Sequence, residues 1–566
     1  MRVSHLVLFF IGNLLSGHLL AFHQLPPAQV DKPIIHQIYQ LVDQRNPISP
    51  VFQQALAHSD ADVQKTALLG LARIGGKPVI NQLVPFLNHA DESFRQLAAF
   101  GLGISANKEA AYYLWQQLEK ETAQRVKQEI YLGLGNLGQN NLNSKMMKRL
   151  DLEQSAESRA HLFQGLAIAL TFHRDLQDNY DNIDYAKILA IFSQGDEQSA
   201  MAGYFLNRVP DIGKTLSADD LLKISQGKLS TSAKINLARL ISKVTENEHP
   251  KNRELLAWVI ESSESEDLNL QLAAIRAYKN LTNIPQTLIQ LGKFQASSNP
   301  IVAHTALNVL AESKLDSEEV IRLFKKQLKS ENEALVTQAV AGLLKRQTRE
   351  EMSWMLTFLR HPSTFVQINL ISQLKNKSDT DFDNFIRKFT QSPNQEVADY
   401  ARSRLEKQPV AKESTAQSPS YAEALTAAGK QVTLKTSQGD IVIQLLADAP
   451  YTAWHFINNA QQGYFTNSYF SRVIGNFVAQ GGDTIGDLQG SSGKTIREEI
   501  NFLAHEHMTV GMATAGKDTG SSQFFINTAR NPHLDRNYTV FGKVIRGQNL
   551  VMKMTNGLKV LSVEVR

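Results

Sequence analysis

The chain has 566 residues and no cysteine. That absence excludes disulfide stapling, a thiolate nucleophile, a cysteine-ligated zinc site and a lipoprotein-type thioether anchor. Charge of one sign is also missing, since 59 basic residues face 55 acidic ones for a formal net of +4. A nucleic-acid footprint needs Lys and Arg clustered on one face, so no nucleic-acid partner is expected. Long apolar runs are absent beyond the N-terminus, so no integral span is expected once that segment is cleaved.

The N-terminus is where export is written. "MRVSHLVLFFIGNLLSGHLLA" sets Arg2 before the apolar run Leu6–Leu15, then Ser16 and Gly17. Asn13 and His18 interrupt it too early for a membrane-spanning helix, which needs about 20 apolar residues. This is the three-part plan of a signal peptide, residues 1–21, with cleavage near Ala21. The expected location is outside the cytoplasm: periplasm or cell envelope, or secreted.

Residues 30–406 read as helices that repeat. Val63, Phe94 and Val126 share one register, and Gly70, Gly101, Gly133 and Gly165 share another. Val63, Ala67, Gly70, Leu71 and Ile74 fall on one face of a helix. The pattern fades between about 175 and 260 and returns at Val302, Val336, Val366 and Val397, with Pro300, Pro362 and Pro393 at helix starts, where a missing N–H costs least. Periods near 31 residues mark stacked helical hairpins, whose apolar faces only a neighbour can cover. These units resemble HEAT repeats, an all-α solenoid. The resemblance implies an extended concave surface for a protein partner, with no catalytic residue of its own.

Residues 407–429 have linker composition, rich in Pro, Ser, Lys, Glu and Ala, and imply halves that move somewhat independently. From 430 to 566 the pattern is period-2 alternation, a hairpin turn at "SQGD", a helix entered at Pro450 and ended by Gly463, then short strands with Gly-rich turns. Many short strands and few helices argue a closed β-barrel.

Three stretches, "YFSRVIGNFVAQGGD", "GMATAGKDTGSSQFFIN" and "NYTVFGKV", resemble the signature blocks of the cyclophilin family of peptidyl-prolyl cis-trans isomerases, in order and spacing as well as residue type. The resemblance implies an eight-stranded antiparallel barrel with two helices. It places the catalytic arginine on Arg472 and its supporting glutamine on Gln480. The proline pocket and its rim fall on Phe477, Val478, Phe525, His533, Leu534 and Tyr538. The substrate-facing strand falls on Ala513, Thr514 and Ala515, with Gln523 beside it. Four positions depart from the commonest pattern: Ser471 for His, Val478 for Met, Thr514 for Asn, and His533 for the rim Trp of animal members. Tyr538 and a rim without Trp are common in bacterial members.

These residue types suit the chemistry. Rotation about an X–Pro bond meets a barrier of roughly 20 kcal/mol from amide resonance. No bond breaks, so neither cofactor nor metal is expected. The twisted transition state localises a lone pair on nitrogen, and a fixed guanidinium donor stabilises that form over either planar one.

Other motifs have plainer readings. "GSSGKT" at 490–495 lacks the glycine a phosphate loop needs at 488, where the chain has Leu. "HEH" at 505–507 has no evident third metal ligand. The expected function is therefore isomerisation of X–Pro bonds in exported, proline-containing clients, with the solenoid holding clients or partners. The alternative is a scaffold whose barrel binds proline segments without turnover.

Overall fold

The structure is a computed structural model. It describes residues 33–173, 183–243, 252–281, 285–315, 317–346, 350–375, 380–406, 414–415 and 418–566. The signal segment and most of the Pro/Ser-rich linker stretch lie outside the described residues.

The helical half stacks hairpins, as the 31-residue period requires. One helix of each pair forms an inner row: α1 Pro33–Asp43, α2 Ala61–Ile74, α3 Glu92–Gly103, α4 Gln124–Leu137, α5 Ala156–Phe172, α6 Ala200–Leu206, α7 Thr231–Ile241, α8 Leu268–Ala277, α9 Pro300–Glu312, α10 Glu333–Arg346, α11 Thr364–Lys375 and α12 Gln395–Glu406. Each packs on the next, so the row also runs through the stretch where the sequence repeat fades. Ser, Asp or Asn stands before many of these helices. Asp60, Asp91, Ser155, Ser230 and Asp267 each accept a backbone N–H of the first turn. The repeated small residues set the spacing. A Cβ on Gly135 of α4 would lie 2.2 Å from the carbonyl oxygen of Gly165 in α5.

The second half is one antiparallel sheet closed into a barrel. Its strands are β1 Gln431–Thr436, β2 Gly439–Leu445, β3 Tyr469–Phe470, β4 Arg472–Ile474, β5 Val478–Gly481, β6 Thr509–Met512, β7 Phe524–Asn527, β8 Val540–Arg546 and β9 Leu558–Val565. Their order is β3-β9-β1-β2-β8-β6-β7-β5-β4. Ser471 alone separates β3 from β4, so the two ends of the sheet are one bent strand and the barrel has the expected eight. Helices α13 Pro450–Gln461 and α14 Gln548–Lys553 pack against it. The barrel core is aromatic: Phe456, Phe465, Phe470, Phe524 and Phe541 pack edge to face and at tilted angles, which suits the ring quadrupole.

The two halves are not independent bodies. The inner row curves around the barrel, and each of its helices touches it. Asp43 of α1 pairs with Arg497. Arg73 of α2 donates to the Ile500 carbonyl at 3.3 Å. Phe100 of α3 meets Phe502 at 4.4 Å between ring centres. Glu129 of α4 holds Arg536, and Gln164 of α5 donates to the Pro532 carbonyl at 3.0 Å. Tyr204 of α6 bonds His533, and Arg239 of α7 donates to the Asn476 carbonyl at 3.0 Å. Asn269 of α8 reaches the Thr528 carbonyl at 3.3 Å, and Ile301 of α9 packs on Gly475. Glu333 of α10 lies against Gly557, Phe365 of α11 meets Tyr469 at 5.4 Å, and Tyr400 of α12 donates to Asp487 at 2.7 Å.

Independent motion was expected from linker composition, but composition speaks only for the linker. Glu129, Gln164 and Tyr204 on the solenoid's inner face are buried, and the barrel supplies their partners. Leaving such groups unpaired would cost about 1–3 kcal/mol each, so the docked arrangement is strongly favoured.

Candidate active site

The site is built on the β4–β5 hairpin. Arg472 sits directly across from Gln480, and Gln480 across from Phe525 on β7. Residues paired this way share a face of the sheet, so the hairpin delivers a cation and an amide to the surface that carries the Phe525 ring. The Arg472 guanidinium lies over the Phe477 ring, 5.6 Å from its centre. Arg472 Nη1 donates to Gln480 Oε1 at 3.4 Å. Gln480 Nε2 donates to Gln523 Oε1 at 2.8 Å, and Gln523 Nε2 to the carbonyls of Leu488 and Gly490 at 3.1 and 2.8 Å. This relay fixes the arginine from behind.

Burial pushes the Arg472 pKa down from its usual value, with Tyr538 opposing. An arginine begins so far above neutrality that it stays charged. It therefore enters the site as a half-buried cation with no carboxylate among the described residues to quench it.

Val478, Phe525 and Leu534 form a buried apolar floor, with Phe477, Ala513 and Tyr538 packed around it. Tyr538 stands at 89° to the Phe525 ring. Ala513 donates its N–H to the Gln523 carbonyl at 3.0 Å, and Ala515 donates to the Thr519 hydroxyl at 2.8 Å. Between them Thr514 makes no hydrogen bond among the described residues. The backbone of Thr514 is therefore what an extended chain lying along 513–515 would meet for strand-like pairing.

Nine of the twelve site positions read from the sequence are joined by these contacts, and Thr514 and Ala515 continue the chain from Ala513. His533 differs. It stacks behind Phe477, 5.7 Å between ring centres, and only 3% of it is exposed. Tyr204 and Arg208 of the solenoid cover its outer edge. Burial and the neighbouring Arg208 drive its pKa well below the usual histidine range, so the ring is neutral. It supports the pocket wall and offers no open rim to a client.

Several contributors carried no sequence signal. Asn476 occupies the hairpin turn at φ 58°, Gly475 beside it meets Leu272 and Ile301, and Asn476 Nδ2 donates to the Asn269 carbonyl at 3.3 Å. The solenoid thereby grips the hairpin that holds Arg472. Thr528 and Asn531 clamp the backbone of Phe477. Phe172 at the end of α5 stands 6.3 Å from Tyr538, ring to ring, and adds a solenoid residue to the pocket edge. Asp483 accepts the N–H groups of Ile485, Leu488 and Gly490 and folds the loop whose carbonyls anchor Gln523.

The two histidines of "HEH" face different surroundings. His505 is enclosed, with Nε2 3.2 Å from the Tyr538 carbonyl, while His507 faces the Met552 sulfur. No group of three or more His, Asp or Glu among the described residues converges as a metal cluster would. Residues 490–493 form a loop packed beside the Gln523 relay, with no helix behind it. No helix among the described residues is long and apolar enough to cross a membrane.

Comparison with known proteins agrees with this geometry. The family described as cyclophilin type peptidyl-prolyl cis-trans isomerase/CLD matches residues 431–564, and HEAT repeats match residues 48–135. A peptidyl-prolyl cis-trans isomerase of Synechococcus elongatus is 40% identical over 138 residues, 24% of this chain and 95% of that protein. One of Helicobacter pylori is 41% identical over 121 residues, 21% of this chain and 74% of that protein. The similarity to peptidyl-prolyl cis-trans isomerase-like 2 of Gibberella zeae, 42% identical over 129 residues, spans 22% of either chain. The relatives thus include bacterial and fungal proteins, and a plant protein is among them too.

Proposed function

This chain belongs to the cyclophilin-type peptidyl-prolyl cis-trans isomerases through its barrel, and from that premise we propose that the whole protein isomerises X–Pro bonds in extended segments of client polypeptides. The observation that carries the reading is the Arg472–Gln480–Gln523 relay, which aims a fixed cation across the Phe477 ring above a dry floor. The client proline fills the floor of Val478, Phe525 and Leu534. Its chain runs along 513–515. As the imide twists, its nitrogen gains a localised lone pair and accepts from Arg472. That bond forms only in the twisted state, so it lowers the barrier without tightening ground-state binding.

We place the clients outside the cytoplasm on the strength of the N-terminal segment, where unfolded exported chains make proline isomerisation a slow step of folding. Tyr538 at the pocket edge and the absence of Trp at 533 have the character the resemblance gives to bacterial members. The solenoid's part in client binding is played at the pocket edge, because its inner face is engaged by the barrel. Phe172, Tyr204 and Arg208 are the residues it brings there.

The test is isomerisation of a short X–Pro peptide by the full chain. Arg472→Ala is expected to lose on the order of 10²–10³ in kcat/KM, the range for one transition-state donor. An unchanged rate refutes the role of Arg472. Peptide binding without turnover in the wild type would leave the scaffold reading in its place.

A further inference from the structure

A cavity of about 600 Å³ lies on the solenoid next to the far side of the pocket wall. Its lining includes Leu170, Asn207, Arg208, Lys214 and Lys243. Arg208 joins it to the prolyl site, since its Nη2 donates to the Tyr204 hydroxyl at 2.9 Å and to His533 Nδ1 at 3.1 Å, and His533 stacks on Phe477. Arg239 approaches the same tyrosine ring from α7, 5.9 Å from its centre, and reaches the backbone of Asn476. Lys243 donates to the carbonyl of Asn207.

Three cations thus gather beside one wall of the site. No carboxylate among the described residues pairs with any of them. Asp211, also in the cavity lining, is already held by Lys214 at 2.9 Å. Burial, reinforced by Arg208 and Arg239, pushes the Lys243 ammonium down to about 8. Like charges brought together and partly desolvated raise one another's energy, and a bound anion lowers it.

We propose that this cluster is an anion subsite for the client chain, taking the carboxylate of an Asp or Glu a few residues from the target proline. The inference rests on the prolyl site being the place where clients bind. The cavity meets the prolyl site through Thr171 of its lining, whose neighbour Phe172 stands at the pocket edge 6.3 Å from the Tyr538 ring, and a client chain covers such an edge in a few extended residues at roughly 3.3 Å each. The solenoid thereby makes the enzyme select acidic proline segments, a preference the barrel alone does not encode.

The experiment measures isomerisation by the full chain of paired peptides carrying Glu or Gln at two to four residues from the proline, on either side. At low salt the Glu peptide is expected to have a kcat/KM about five-fold above its Gln partner at one position, as for a partly exposed ion pair. The preference is expected to shrink toward one as salt rises, and in Lys243→Gln and Arg208→Gln alike. Equal rates for both peptides at every position overturn the subsite while leaving isomerisation standing. A preference retained in both variants also overturns it. Failure to turn over either peptide instead refutes the isomerase reading. Saturable binding of inorganic phosphate that leaves the two peptides equal would assign the cluster to a free anion and overturn the client proposal.

Discussion

Arg536 of the barrel donates from Nε and Nη2 to the two carboxylate oxygens of Glu129 in the solenoid, at 2.9 and 2.7 Å, with both side chains almost wholly buried. Arg536 also donates to the Asn501 carbonyl at 3.2 Å and lies over the packed rings of Phe100 and Phe502, 5.8 and 5.3 Å from their centres. A two-point pair of this kind joins the two halves into one cooperative body.

Glu129→Ala leaves that guanidinium buried and uncompensated. Breaking a buried pair from one side costs about 3–5 kcal/mol. The expected result is a lower denaturation midpoint seen both by barrel probes and by helical circular dichroism. Replacing both partners by Met removes the stranded charge and is expected to recover most of the loss. A barrel transition that does not move in Glu129→Ala would mean the halves unfold separately.

Acid sensitivity follows from buried histidines. His304, in the core of α9, is pushed down to about 4, first by burial and then by Arg276. Its Nε2 finds no hydrogen-bond partner among the described residues. The folded pKa lies below the unfolded value near 6.5, so the unfolded chain binds the extra proton. Stability is fully present above about pH 6.5 and declines toward pH 4. Carboxylates raised by burial, such as Asp43 and Glu506, act in the opposite sense from their ordinary range upward. His304→Leu isolates one contributor. Its stability loss between pH 8 and pH 5 is expected to be smaller than that of the wild type by about 2 kcal/mol, with little difference at pH 8. Parallel pH profiles for the two proteins would contradict this.

Much of this molecule was legible in the chain. The glycine register at 70, 101, 133 and 165 announced helices in close contact, and Gly135 against Gly165 shows the approach. Alternation and Gly-rich turns announced the barrel. The three motif blocks placed Arg472, Gln480 and the pocket floor. What could not be read was the meeting of the halves. Glu129, Gln164, Tyr204 and Asn269 fall on helical positions like any polar residue, and only the docked barrel explains their burial. The family pattern puts His533 at the pocket rim and is silent on its burial for the same reason: the residues that cover it lie more than 320 positions away. Asn476 and Asp483 act through backbone geometry, which residue type alone does not disclose.

Asp483 offers the sharpest test of how the site is held. Its carboxylate, 1% exposed, accepts three backbone N–H groups at 3.0, 2.6 and 3.1 Å. The loop it organises presents the Leu488 and Gly490 carbonyls to Gln523, which positions Gln480 and through it Arg472. Asp483→Asn turns an amide hydrogen toward N–H groups and removes charge-assisted acceptors, each worth about 1.5–3 kcal/mol. A loosened loop is expected to lower kcat about ten-fold with little change in KM, because the pocket floor does not depend on it. If Asp483 acts through the guanidinium, adding Asp483→Asn to Arg472→Ala should cost almost nothing further. A full additional ten-fold loss in the double variant would show that the loop serves the reaction by another route, and that the hydrogen-bonded path from residue 483 to residue 472 carries no catalytic information.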